Sequence, residues 1–194
     1  MAGLAGIMGG VGRTSVYLVP EASDVSPEEY ADRVRSFLLA TKVIAPFEDN
    51  DPSFLAFGDE SALPFEVPPE HLADGERVFG FEFCTIYAGK LTLVPDEGVV
   101  EPKCPRCGAD VTGPYYKAIG REEGREVDYA AVRVKCPGCG GSFRPDALND
   151  SVGIFLVDRY VNFDDAFTKF RPEWLAELER QTGSRHRVLE YWYT

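Results

Sequence analysis

Histidine is almost missing from this chain, with only His71 and His186 in 194 residues, and neither sits beside an Asp, Ser or Cys motif. A histidine-based metal cluster or catalytic triad therefore has little to draw on, and both rings are expected at the surface. Positive charge is also short: 20 Lys and Arg stand against 32 Asp and Glu, a formal net charge of -12. Such a chain repels phosphate backbones and lacks the counterion-release term behind non-specific nucleic-acid binding. Long apolar runs are absent, so no membrane span is expected. The apolar stretch Met1 to Gly12 has no basic start and too many glycines for a secretory leader. A cytoplasmic, non-exported protein is the expectation. Gly9-Gly10-Val11-Gly12-Arg13-Thr14 is not a phosphate loop, since Ile7 replaces the first glycine and Arg13 the lysine.

What is present suffices for a folded domain: 44% hydrophobic and 27% charged residues are ordinary globular values. Residues 1–13 are read as a flexible N-terminus. Ser15 to Pro20 reads as a strand. Ser26-Pro27-Glu28-Glu29 opens a helix running to about Thr41, with Ser26 as cap, Pro27 at N1 and Glu29 reaching back. Asp49 to Gly75 is a proline-rich excursion. Val78 to Tyr87 alternates as a strand with Phe79, Phe81 and Phe83 on one face and Cys84 on the other. Ala88-Gly89 is taken as a hairpin turn into Lys90 to Val94. Ser151 to Val161 is a further strand, Arg171 to Gly183 a helix stopped by that glycine, and Arg187 to Tyr193 a last strand.

Strand, helix, strand thus occurs twice, once on each side of a cysteine-containing stretch. The expected class is α+β, a ferredoxin-like βαβ-βαβ sheet with two helices. The core domain takes residues 14–99 and 147–194, and residues 100–146 are an insertion. Eight Lys and Arg face seven Asp and Glu within that insertion, a net +1 that leaves -13 for the remainder.

Five cysteines are an odd number for a disulfide framework, and four form two C-P-x-C-G units, Cys104-Pro-Arg-Cys107-Gly and Cys136-Pro-Gly-Cys139-Gly. Proline pre-sets each turn, and the trailing glycine can take a positive φ so that backbone amides face the sulfurs. Asp128 to Lys135 alternates as a strand entering the second unit. Over about 40 residues this resembles the zinc-ribbon family, which implies one structural zinc on Cys104, Cys107, Cys136 and Cys139. Rubredoxin-type iron uses similar knuckles, but the intervening sequence lacks its aromatic and acidic pattern. Four thiolates leave no open position for catalytic zinc, and a redox dithiol needs only one pair.

Other residues carry weaker signals. Cys84 reads as a buried small hydrophobe. Asp158, Asp164 and Asp165 lack a D-x-D spacing, so loop and cap roles are expected over a cation site. Arg121 to Glu126 reads as a solvated hairpin tip. Tyr115, Tyr116, Tyr129 and Phe143 accompany Lys117, Arg133, Lys135 and Arg144, a mixture that can clamp single-stranded nucleic acid, although the small core has first claim on the rings. No catalytic signature emerges. The expectation is a non-catalytic binding or adaptor protein whose partner is another protein; nucleic acid acting through the ribbon, or an enzyme with an unrecognised site, are the alternatives.

Overall fold

The computed structural model describes residues 13–21, 24–45, 63–66, 81, 83–95, 101–120, 127–151, 154–164 and 166–193. The readings of the N-terminus, the proline-rich excursion, the strand start before residue 81, His71, Arg121 to Glu126 and Asp165 lie outside these, apart from residues 63–66 of the excursion.

Four long strands form one antiparallel sheet in the order β2-β5-β1-β6. They are β1 (Arg13–Pro20), β2 (Phe83–Pro95), β5 (Ile154–Asp164) and β6 (His186–Tyr193). The short strands β3 (Val134–Lys135) and β4 (Ser142–Phe143) pair separately, and the described residues also form helices α1 (Pro27–Ala40), α2 (Thr112–Ala118) and α3 (Pro172–Thr182), with a 3-10 helix at Pro145–Ser151. No helix among the described residues is long and apolar enough to cross a membrane.

Helix α1 begins as its sequence dictates, with Pro27 in the first turn and Ser26 Oγ accepting the Glu29 amide at 3.2 Å. The acid behaves differently from the capping-box expectation. Glu29 pairs with Arg33 one turn on, at 2.6 Å. Glu28 instead accepts its own amide and the Ser26 hydroxyl, which holds its carboxyl below the usual range. Helix α3 ends at Gly183, whose φ of 72° lets its amide reach the Glu179 carbonyl at 2.8 Å.

The two helices cover one sheet face. Val16 and Leu18 of β1, Cys84 and Ile86 of β2, and Val161 and Phe163 of β5 meet Tyr30, Val34 and Leu38 of α1 and Trp174 and Leu178 of α3. Phe65, Phe81, Phe163, Phe170 and Trp174 lock the end of this core through mostly edge-to-face ring contacts. On the opposite face, Tyr160 stacks on Tyr87 and meets Tyr17 edge-on.

Two readings of the β2 region need correction. Ala88-Gly89 is not a hairpin turn. β2 runs straight through it, and both halves pair with β5, Ala88 opposite Arg159 and Thr92 opposite Val157. A single long partner strand removes the need for a reversal, and the extra residues form a bulge closed by Tyr87 donating to the Lys90 carbonyl at 2.8 Å. The phenylalanine alternation also fails. Phe81 is 1% exposed but lies before the strand, whereas Phe83 is 43% exposed on the face opposite the buried Cys84. The strand expected over Asp128 to Lys135 is only β3; Asp128 Oδ1 accepts the Ala130 amide at 3.1 Å and turns the chain instead.

Candidate metal centre

The two C-P-x-C-G units fold as near copies. In the first, the Gly108 amide donates to the Cys104 carbonyl at 2.9 Å and the Cys104 amide to Ala109 O at 2.8 Å. In the second, Gly140 donates to Cys136 O at 3.0 Å and Cys136 to Gly141 O at 2.8 Å. Gly108 and Gly140 adopt φ of 71° and 69°, left-handed values that a side chain would strain. A Lys103–Asp110 bridge closes the first loop, and β3–β4 closes the second.

These loops bring all four sulfurs within 4.8 Å of one another. Cys107 and Cys136 Sγ lie 3.6 Å apart, and Cys104 and Cys139 Sγ 3.9 Å. A tetrahedron with bonds of about 2.3 Å has sulfur–sulfur edges of about 3.8 Å, so the spacing fits a four-thiolate ion such as zinc. No disulfide joins them. The Arg106 amide approaches Cys104 Sγ at 3.4 Å, the type of contact that stabilises thiolate charge. Burial pushes the Cys104 thiol up, but the amides of Arg106 and Cys107 and the neighbouring thiols outweigh it and bring it to about 7.

Cys104 and Cys136 are buried while Cys107 and Cys139 face outward. Beneath the inner pair, Val111, Tyr115, Ile119, Val134 and Leu148 form a small core that also takes Leu156 from β5 and, partly buried, Leu93 from β2. The cysteine region is thereby seated on the sheet. Asn149 fixes the junction, its side chain donating to Leu156 O at 2.9 Å and accepting the Leu156 amide at 3.0 Å.

Close approach explains a further glycine. A Cβ on Gly138 would lie 2.9 Å from the Ala109 Cβ and 3.5 Å from Cys107 Sγ. Gly138→Ala is expected to cost about 1–3 kcal/mol through overpacking and to weaken metal retention. Ala109→Gly in the same chain should recover most of the loss, as read by thermal melts and competition with a chromophoric chelator. Failure of that rescue would show that backbone strain, and not the methyl clash, limits the site.

The remaining candidates disperse. Cys84 is fully buried, and burial pushes its thiol far above the ordinary range. Asp158 pairs with Arg159, and Asp164 accepts a bond from Ser15; six residues apart on one strand, they stand about 20 Å from each other. Tyr115 is fully buried, Tyr129 and Phe143 half-buried, and Tyr116 45% exposed, so the small core claims most of the rings. The surface reading of His186 is wrong. Its ring is 8% exposed, with Nε2 at 2.9 Å from the buried Tyr30 hydroxyl and Nδ1 without a hydrogen-bond partner. Its place at the start of β6, opposite Pro20, turns it under α1. Helix α2 was also not expected. Its one local signal is Asp110, whose carboxylate takes the Thr112 amide and hydroxyl at 2.8 and 2.6 Å just before the first turn. Among the described residues, the four cysteines are the only group of three or more metal-type side chains brought together.

Set against known proteins, the chain matches no protein-family model, no curated protein and no solved structure.

Proposed function

We propose that this chain is a zinc-stabilised, non-catalytic adaptor, in which a four-thiolate zinc on Cys104, Cys107, Cys136 and Cys139 stiffens an arm carried by an α/β domain. The observation behind it is the cluster of four sulfurs within 4.8 Å of one another, with separations of 3.6 and 3.9 Å between the two similar loops. Four cysteine ligands close the coordination sphere, so the ion supplies folding energy and shape. Affinity capture with the zinc-loaded chain, compared with Cys104→Ser, tests the role. A protein partner retained in near-stoichiometric amount by the first and lost with the second supports it. A chain that elutes alone at every salt concentration, or that turns over a substrate without a partner, sinks it.

The architecture behind this reading is a ferredoxin-like core, residues 14–99 and 147–194, interrupted by an inserted ribbon at 100–146. Two observations support it. With β3 and β4 set aside, the first and second βαβ units interleave in the order β2-β5-β1-β6. Among the described residues, every member of the helix-covered core also lies outside 100–146. Replacing residues 102–146 with a short Gly/Ser linker should therefore leave a cooperative melt, at lowered temperature because Leu93 and Leu156 lose their cover. Loss of all cooperativity would mean that the two parts share one core.

A further inference from the structure

Gly141 follows the second C-P-x-C-G unit directly and, unlike Gly108 and Gly140, does not adopt a positive φ. What crowds it accounts for the missing side chain. A Cβ there would lie 3.2 Å from Cys139 Sγ, 3.2 Å from Arg106 Nη1 and 3.3 Å from Arg106 Cδ. The sulfur and the guanidinium thus border one point, and no more than twice 3.2 Å separates them. The Arg106 side chain therefore crosses from the first loop to an outer sulfur of the second. Its own amide meanwhile approaches Cys104 Sγ at 3.4 Å.

No carboxylate claims this guanidinium. Among the described residues the Arg106 side chain makes no ion pair and no hydrogen bond. Neighbouring cations differ: Lys103 has Glu101 at 3.0 Å, and Arg144 has Asp146 at 2.6 Å. The unpaired charge instead lies against the sulfur cluster. Four thiolates around one divalent ion carry two net negative charges, and Cys139 is one of the two sulfurs turned outward. Arginine suits such a place, because it stays protonated throughout the physiological range and is more weakly hydrated than an ammonium. Gly141 leaves the room in which its stem lies.

We infer that Arg106 is the counter-charge of the metal centre, a positioning residue outside the ligand set whose guanidinium stabilises the metal-loaded tetrathiolate and so retains the ion. The inference rests on the four-thiolate zinc reading and deepens it. Arg106 acts through its field and touches no metal. Its effect must therefore follow charge and salt, which a packing role does not.

Competition between the full chain and a chromophoric chelator, at constant neutral pH, reads the effect as zinc affinity. At low ionic strength Arg106→Gln should bind zinc about tenfold more weakly than the wild type. Arg106→Glu should be weaker again, and Arg106→Lys should stay within about threefold of the wild type. In 1 M salt, where the screening length is about 3 Å, the gap between wild type and Arg106→Gln should shrink to about threefold or less. Lys117→Gln, which removes a cation from α2 in the same region, should change affinity less than twofold. The cobalt-loaded Arg106→Gln chain should keep the absorption bands of the cobalt-loaded wild type, showing all four sulfurs still bound. Unchanged affinity in Arg106→Gln, a loss insensitive to salt, no recovery with Arg106→Lys, or altered cobalt bands overturns the inference. A wild type without stoichiometric zinc sinks the zinc reading as well. One zinc held equally tightly by the wild type and Arg106→Gln leaves that reading standing and removes only the role of Arg106.

Discussion

Cys136→Ser should strip the protein of stoichiometric metal and unfold the cysteine region while the helix-covered core survives. Purified without added metal, the wild-type chain is expected to carry about one zinc and little iron. Structural zinc on four thiolates contributes an apparent free energy of about 10–16 kcal/mol, far above any single side chain in the small core. Cys136 is also 1% exposed and belongs to that core, so the variant loses packing together with the ion. Hydrogen exchange should then accelerate across residues 101–148 and little across α1, α3, β1 and β6, whose buried residues form separate clusters. A chelator should reproduce the pattern in the wild type. Cys84→Ser is the control: Cys84 is fully buried in the other core and should leave metal content intact. A red, iron-loaded preparation would replace zinc with a rubredoxin-type ion. Retention of full zinc by Cys136→Ser would remove this residue from the ligand set.

The second large effect is acid destabilisation through His186. Burial pulls its pKa down from 6.5 to about 4, against a smaller opposite pull from the Glu179 carboxylate. Around the ring, α1 contributes the Tyr30 hydroxyl, α3 contributes Glu179, and β5 places Arg159 over the Tyr30 ring. In the unfolded chain the imidazole takes a proton near pH 6.5; in the folded protein it resists until about pH 4. The unfolded state therefore binds the proton first as pH falls. Stability from this site is complete above about 6.5 and lost between 6.5 and 4, a change of about 3 kcal/mol. His186→Gln keeps a polar partner for Tyr30 and does not titrate. Urea melts across pH 7 to 4 should show the variant losing about 3 kcal/mol less than the wild type. Metal affinity also falls with pH as thiolates take up protons, but that loss is common to both chains, so the difference isolates the histidine. Parallel pH profiles would show that His186 is not held neutral.

The sequence by itself determined the local elements and which four cysteines come together. Ser26-Pro27 started α1, Gly183 stopped α3, and paired C-P-x-C-G units identified four sulfurs on one centre, because caps, left-handed glycines and knuckle turns are set by neighbouring residues. It failed where the answer depended on a distant strand. Ala88-Gly89 carries a hairpin signal, yet β5 pairs with both flanks and straightens it. Phe83 looks like core and faces outward, since which side of β2 is buried is decided by the helices that cover it. His186 has no motif, and its burial follows only when β6 brings it beneath Tyr30, 156 residues away. Chain-local geometry could be read directly, whereas pairings across long separations depend on which loops close most favourably over the whole chain, and that is settled only when the core forms.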